Sequence, residues 1–148
     1  MKQNRTYELV RQFIRKYPMT VAWRVWQHSL IIEKFLDDDE EVLFAFPAQE
    51  NDNSFDIITT CVVALTNQRI LIGRKRLLWG YFYHSITPDM FNDTEVAMGL
   101  IWGKLHIDTI KEMVVLSNLD RNSLPEIEDA INDTITDLKK EWGLRSSK

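Results

Sequence analysis

Val63-Ala64-Leu65-Thr66-Asn67-Gln68-Arg69-Ile70-Leu71-Ile72 is the stretch on which the fold of this chain turns. To its left, Ile57-Ile58-Thr59-Thr60-Cys61-Val62 extends a segment dense in β-branched residues, whose stiff side chains suit a pleated surface better than a helix. Arg69-Ile70-Leu71-Ile72 repeats that character on the right. Between them, Thr66 and Asn67 can hydrogen-bond their own turn backbone, and Asn67 tolerates the left-handed conformation a tight turn needs. Two apolar strands around a short polar turn make a β-hairpin. Arg69, at the start of the second strand, can lay its apolar stem along the sheet with its head in water, or pair with a carboxylate.

The extended pattern continues on both sides. Val42, Phe44 and Phe46 alternate with Leu43 and Ala45, and Pro47, lacking an N–H, limits that strand to an edge or an end. Gln49-Glu50-Asn51-Asp52-Asn53-Ser54 is a turn-forming loop. Further strands are expected at residues 77–83, 94–98, 103–107 and 112–116. Seven short strands with brief turns and no intervening helices imply an antiparallel barrel or sandwich.

Helices bracket the strands. Ser123 followed by Glu126 has the spacing of a capping box, with Pro125 suited to a first turn. Leu124, Ile127, Ile131, Leu138 and Trp142 then form a stripe with Ile135 near its edge, and Gly143 stands where a helix C-cap is expected. At the other end, Tyr7, Val10, Phe13, Ile14 and Tyr17 share one helical face, and Pro18 interrupts. A second helix is expected over residues 21–36, capped by Thr20. It is apolar over more than one face, so it lies between two packed surfaces or offers one to a partner.

Charge divides the chain more sharply than composition does. The 148 residues carry a formal net charge of −4, yet residues 1–36 hold seven cations against two carboxylates, a net of plus five. Asp37-Asp38-Asp39-Glu40-Glu41 follows at once and reads as a solvated hinge, dividing the chain into a helical extension (1–36) and a β-rich body (37–148). The basic extension could dock on acidic carboxylates of the C-terminal helix or of this run. With 45% hydrophobic and 27% charged residues the chain is globular. Its apolar runs fall short of the roughly 18 residues a transmembrane helix needs. The first residues, Met1 to Arg5, lack a signal-peptide apolar region, which points to a cytoplasmic protein. The acidic balance argues against a nucleic-acid partner.

Seven strands and one amphipathic helix is the element order of a pleckstrin-homology (PH) fold, in which two bent sheets form a barrel and the terminal helix plugs its open end. The stretch from Val63 to Ile72 resembles the "LTNKRLI" hairpin of bacterial PH-like proteins, in particular the YokE-like group. Trp79-Gly80 with Ser85-Ile86-Thr87, and the glycine-bracketed Gly99-Leu100-Ile101-Trp102-Gly103-Lys104-Leu105-His106-Ile107, are similar to that family's later segments. The resemblance covers about residues 40 to 142 and implies a bacterial binding module.

Catalytic and metal chemistry find little support in the residues. His28, His84 and His106 are scattered without zinc-ligand spacing, and the five glycines form neither a phosphate-binding loop nor a dinucleotide fingerprint. The single Cys61 lies within an apolar strand and reads as a small buried hydrophobe. No cofactor or metal is expected, and an enzyme would need a polar pocket gathering distant residues such as His84, His106 and Asp108. Two binding readings remain. Trp23 and Trp26 on the second helix form a candidate interface for a protein partner or a second copy, and this reading is preferred. The alternative is peripheral binding to anionic lipid headgroups. The loop from Gln49 to Asp56 lacks the basic residues that familiar PH domains use for phosphoinositides, so the candidate lipid contact is instead Arg74-Lys75-Arg76 with Trp79.

Overall fold

The structure, a computed structural model, describes residues 4–50 and 59–143. Two helices, α1 (Arg5–Lys16) and α2 (Val25–Phe35), precede seven strands: β1 (Val42–Gln49), β2 (Thr60–Thr66), β3 (Ile70–Lys75), β4 (Tyr81–Ile86), β5 (Phe91–Met98), β6 (Trp102–Thr109) and β7 (Met113–Asp120). A 3-10 turn at Arg121–Ser123 leads into α3 (Leu124–Glu141). The strands lie in the order β4-β3-β2-β1-β7-β6-β5 with antiparallel neighbours. β1 and β7 meet in register only at Gln49 and Ser117. The sheet therefore splays at that seam and curls into a half-barrel, the seven-stranded antiparallel PH-like arrangement with its C-terminal helix.

Two apolar layers explain why β2 shows no alternation. Its concave-side residues Cys61, Val63 and Leu65 join Phe46, Leu105, Leu116 and, from α3, Leu124, Ile127 and Ile131. On the opposite side Val62, Ala64 and Leu71 meet Val10 of α1 and Ile32 of α2. All seven residues of β2 are consequently buried. A strand covered on both faces reads as a continuous apolar run. Cys61 is buried there, and burial pushes its thiol well above the ordinary range.

Several local expectations are corrected. Pro47 lies inside β1, opposite Val62, and is tolerated because β1 has no registered partner on its β7 side before Gln49. The Asn51–Ser54 part of the expected loop and the Ile57–Ile58 start of the second strand lie outside the described residues. α2 begins at Val25, not at residue 21: Thr20 instead donates its N–H to the Tyr17 carbonyl, and Arg24 takes the N-cap position in left-handed backbone, φ 56. The strand expected at 77–83 is displaced to Tyr81–Ile86 because Gly80, φ 84, turns the chain and the Arg76 N–H closes on its carbonyl at 3.1 Å.

The capping box does not form either. Ser123 ends a 3-10 turn in helical dihedrals and donates its Oγ–H to the Asp120 carbonyl at 2.6 Å. Glu126 faces α1 instead, accepting from Lys16 Nζ at 2.8 Å and from the Tyr17 hydroxyl. These bonds hold its carboxyl below the ordinary range. One lysine of the basic extension thus docks on the C-terminal helix. Trp142 stays half exposed beyond the stripe, while Gly143 takes φ 71 just past it.

The acidic run is not uniformly solvated. Asp38, Asp39 and Glu41 are exposed, but the Glu40 side chain has no exposed surface and pairs with Arg69. Arg69 Nε and Nη2 donate to the two Glu40 oxygens at 3.0 and 2.8 Å, Nη2 also to the Phe35 carbonyl, and Nη1 to Ser85 Oγ. Desolvation raises the Glu40 carboxyl, and the bonds from Arg69, Thr66 and the Asp37 N–H outweigh it, leaving the group below its usual range. What looks like a hinge is a latch joining the α2–β1 connection to the β2–β3 turn.

Candidate functional site

The β3–β4 connection is where the chain offers apolar side chains to solvent. Past the Lys75–Tyr81 pair, Leu77, Leu78 and Trp79 form the tip of the hairpin, 53%, 78% and 78% exposed. Fully burying a side chain such as leucine is worth about 1.5–3 kcal/mol, so covering the exposed parts of these three is worth roughly twice that before the cost of association. Lys75 and Arg76 stand at its base. Arg74 and Arg76 lay their guanidinium groups over the Phe82 ring at 4.3 and 4.7 Å. The structure thus brings Arg74, Lys75, Arg76 and Trp79 onto one hairpin, where Leu77, Leu78 and Trp79, expected to begin a strand, form the exposed tip.

The base of the tip is held from outside the hairpin. His28 Nδ1 of α2 accepts the Lys75 backbone N–H at 2.8 Å, and Arg24 Nη1 donates to the Arg76 carbonyl at 3.3 Å. His28 is fully buried. Burial first, then the neighbouring Arg24 and Arg74 charges, lower its pKa to about 4, with the Trp23 carbonyl opposing. The ring is therefore neutral and carries its proton on Nε2. Sequence spacing could not mark this contact, since 47 residues separate the partners. Trp23 is half-buried beneath the Arg24 guanidinium, and Trp26 meets Tyr7 edge-on at 4.9 Å with 48% of its surface still exposed.

A second polar cluster lies beside it. His84 Nε2 approaches Glu50 at 3.3 Å and its Nδ1 approaches Glu112 at 3.9 Å, in an open cleft of about 460 Å³ that Arg74 and Phe82 also line. Burial chiefly, with Glu112 adding, raises the Glu50 carboxyl against the opposing His84 and Arg74 charges. The carboxylates flank opposite nitrogens of one imidazole, so they cannot close on one ion with it. Among the described residues no group of three or more His, Cys, Asp or Glu side chains is arranged to hold a metal. His106 and Asp108 lie along β6, opposite Val115 and Met113 of β7.

At the β5–β6 turn a further apolar patch is exposed: Met98, Leu100, Ile101 and Trp102, beside Met19, whose carbonyl accepts the Trp102 Nε1–H at 2.7 Å. Among the described residues no helix is long and apolar enough to cross a membrane.

Comparison with known proteins agrees with this architecture. The structure is similar to the crystal structure of a pleckstrin homology domain from Shewanella amazonensis SB2B, at 17% identity and a TM-score of 0.52, covering 74% of this chain and 96% of that one. It also overlaps the hSac2 domain from human phosphoinositide phosphatase Sac2, at 13% identity and a TM-score of 0.49, covering 91% of this chain and 83% of that one. No curated protein matches the sequence. Residues 36–133 match the family described as a bacterial PH domain, bPH_3. That span is most of the chain and takes in the whole seven-stranded sheet, so the chain belongs to the bacterial PH domain family.

Proposed function

We propose that this chain is a non-catalytic binding module that docks on an anionic membrane surface through the β3–β4 tip, with Lys75, Arg76 and Trp79 as principal contacts and Arg74 supporting them. The carrying observation is that Leu78 and Trp79 project 78% exposed beyond a base of cations. An inserted Trp–Leu pair gains apolar burial, while each cation near an anionic surface adds on the order of 1 kcal/mol. Arg74 contributes less because it also faces the cleft that holds Glu50. Within the family, the hairpin around Asn67 supports placement in the YokE-like group. The division into a 1–36 extension and a 37–148 body fits a cytoplasmic adaptor with an added helical layer.

Flotation of the full chain with phosphatidylcholine vesicles, with and without phosphatidylglycerol, tests the docking. Binding at low salt that requires phosphatidylglycerol and is lost in K75A/R76A and in L78S/W79S is expected. Failure to float at low salt, or binding indifferent to these changes, overturns it.

A second reading is protein contact, including self-association, and the exposed Met98, Leu100, Ile101 and Trp102 cluster supports it. The half-exposed Trp26, with Trp23, is the other candidate face. A dimeric mass by light scattering, lost in L100S/I101S or in W26S, is expected on this reading, and a monomeric mass at high concentration removes self-association.

A further inference from the structure

We propose that α1 and the N-terminal end of α2, with Trp23 and Arg24 just before it, form one continuous docking surface with the β3–β4 tip, and that an anionic bilayer is what covers it. This rests on the docking function above and extends it to a segment preceding the family match, which begins at residue 36.

The two parts are joined by contacts specific to the base of the tip. The β2–β3 register runs only to Val62 and Gly73, so the Lys75 amide lies beyond it. His28 of α2 supplies the acceptor for that amide, and Arg24 supplies a donor to the Arg76 carbonyl. Gly73 permits the approach: a Cβ there would stand 3.0 Å from Ile32 Cδ1 and 3.2 Å from Ile31 Cβ. α2 thus sits flush against β3, with its N-terminal turn at the root of the tip.

Cations and aromatic rings continue outward from this joint. Arg24 lies over Trp23, Trp26 abuts Tyr7, and Arg11 stands 5.7 Å from the Tyr7 ring centroid. Ring bodies that keep a polar edge, next to long cationic side chains, fit the headgroup level of a bilayer. Charge supplies the choice of occupant: Arg11 and Arg24 add two cations to the Lys75 and Arg76 of the tip.

Bilayers containing brominated phosphatidylcholine and phosphatidylglycerol test the surface through tryptophan quenching of the full chain. Quenching is expected to persist in W79F and to fall further when W23F and W26F are added. R11Q/R24Q is expected to bind about thirty-fold more weakly, roughly five-fold per cation. If the chain floats and needs Lys75 and Arg76, yet W79F alone removes the quenching and R11Q/R24Q binds like wild type, the tip docks by itself and the continuous surface is overturned. If the wild-type chain does not float, the docking function fails and this inference with it.

Discussion

Glu40 and Arg69, 29 residues apart, form a two-point ion pair whose acidic partner is completely enclosed and whose basic partner remains 18% exposed. The asymmetry decides which deletion is worse. In R69A the carboxylate stays buried with only Thr66 Oγ1 and the Asp37 N–H for company, and breaking a buried pair in this way costs about 3–5 kcal/mol. In E40A the guanidinium keeps the Phe35 carbonyl and Ser85 Oγ and can reach water. Urea unfolding is expected to rank R69A well below E40A, and the reverse order would refute this account.

The same carboxyl makes the fold sensitive to acid. Its folded pKa lies below that of the unfolded chain, so its stabilisation is present above the ordinary glutamate range and is lost as pH falls through the folded value. The urea midpoint of E40Q is expected to fall less steeply than that of wild type on acidification below about pH 4. Parallel slopes would contradict it.

His28 predicts a different window. Its folded pKa of about 4 lies below the ordinary 6.5, so between those values the unfolded chain binds the extra proton and stability rises with pH. The contribution is complete above about pH 6.5, where the gap corresponds to about 3 kcal/mol, and is lost as pH falls toward 4. H28Q is expected to be less stable at neutral pH and to flatten this slope. A variant that keeps the wild-type slope would show that another group titrates.

Two glycines carry packing that alanine cannot. At Gly73 a Cβ presses on Ile31 and Ile32, and α2 must withdraw. At Gly103 it would lie 2.4 Å from Leu124 Cδ1 and 2.9 Å from the Ala97 carbonyl, beneath the start of α3. Both substitutions are expected to cost about 1–3 kcal/mol, G103A the more because one obstacle is backbone. G73A should in addition raise protease sensitivity within residues 17–36; equal resistance would argue that α2 sits less tightly than described.

Leu78 and Trp79 make the opposite prediction. Being largely exposed, they contribute little to the folded state, and L78S/W79S is expected to change unfolding free energy by no more than about 0.5 kcal/mol. A larger loss would mean that the tip packs within the chain, and flotation by that variant could not then be read as a loss of contact.

The hairpin through Asn67 was legible because its information is local: β-branched runs, a three-residue polar turn and a change of period identify strands without knowing their neighbours. The stripe of α3 was legible for the same reason. The tip was misread because Leu77-Leu78-Trp79 has strand composition, and only the turn at Gly80 and the Tyr81–Ile86 pairing with β3 move it out of the sheet. The Ser123–Glu126 motif failed because its glutamate found Lys16 and the Tyr17 hydroxyl across more than a hundred residues.

By itself, then, the sequence determined the kinds of element and their order, since each depends on turn chemistry and side-chain periodicity within about ten residues, while the family's barrel was implied by the resemblance of the Val63–Ile72 stretch. The tertiary structure alone decided which charges are enclosed and which apolar groups are left out. Glu40 is buried because Arg69 folds over it, and His28 stays neutral because α2 closes on β3. Leu78 and Trp79 remain in solvent because the hairpin carries them past the last pair, Lys75 with Tyr81. Burial is a property of what lies opposite a residue, and these partners are set by the packing of segments 29 to 47 residues apart.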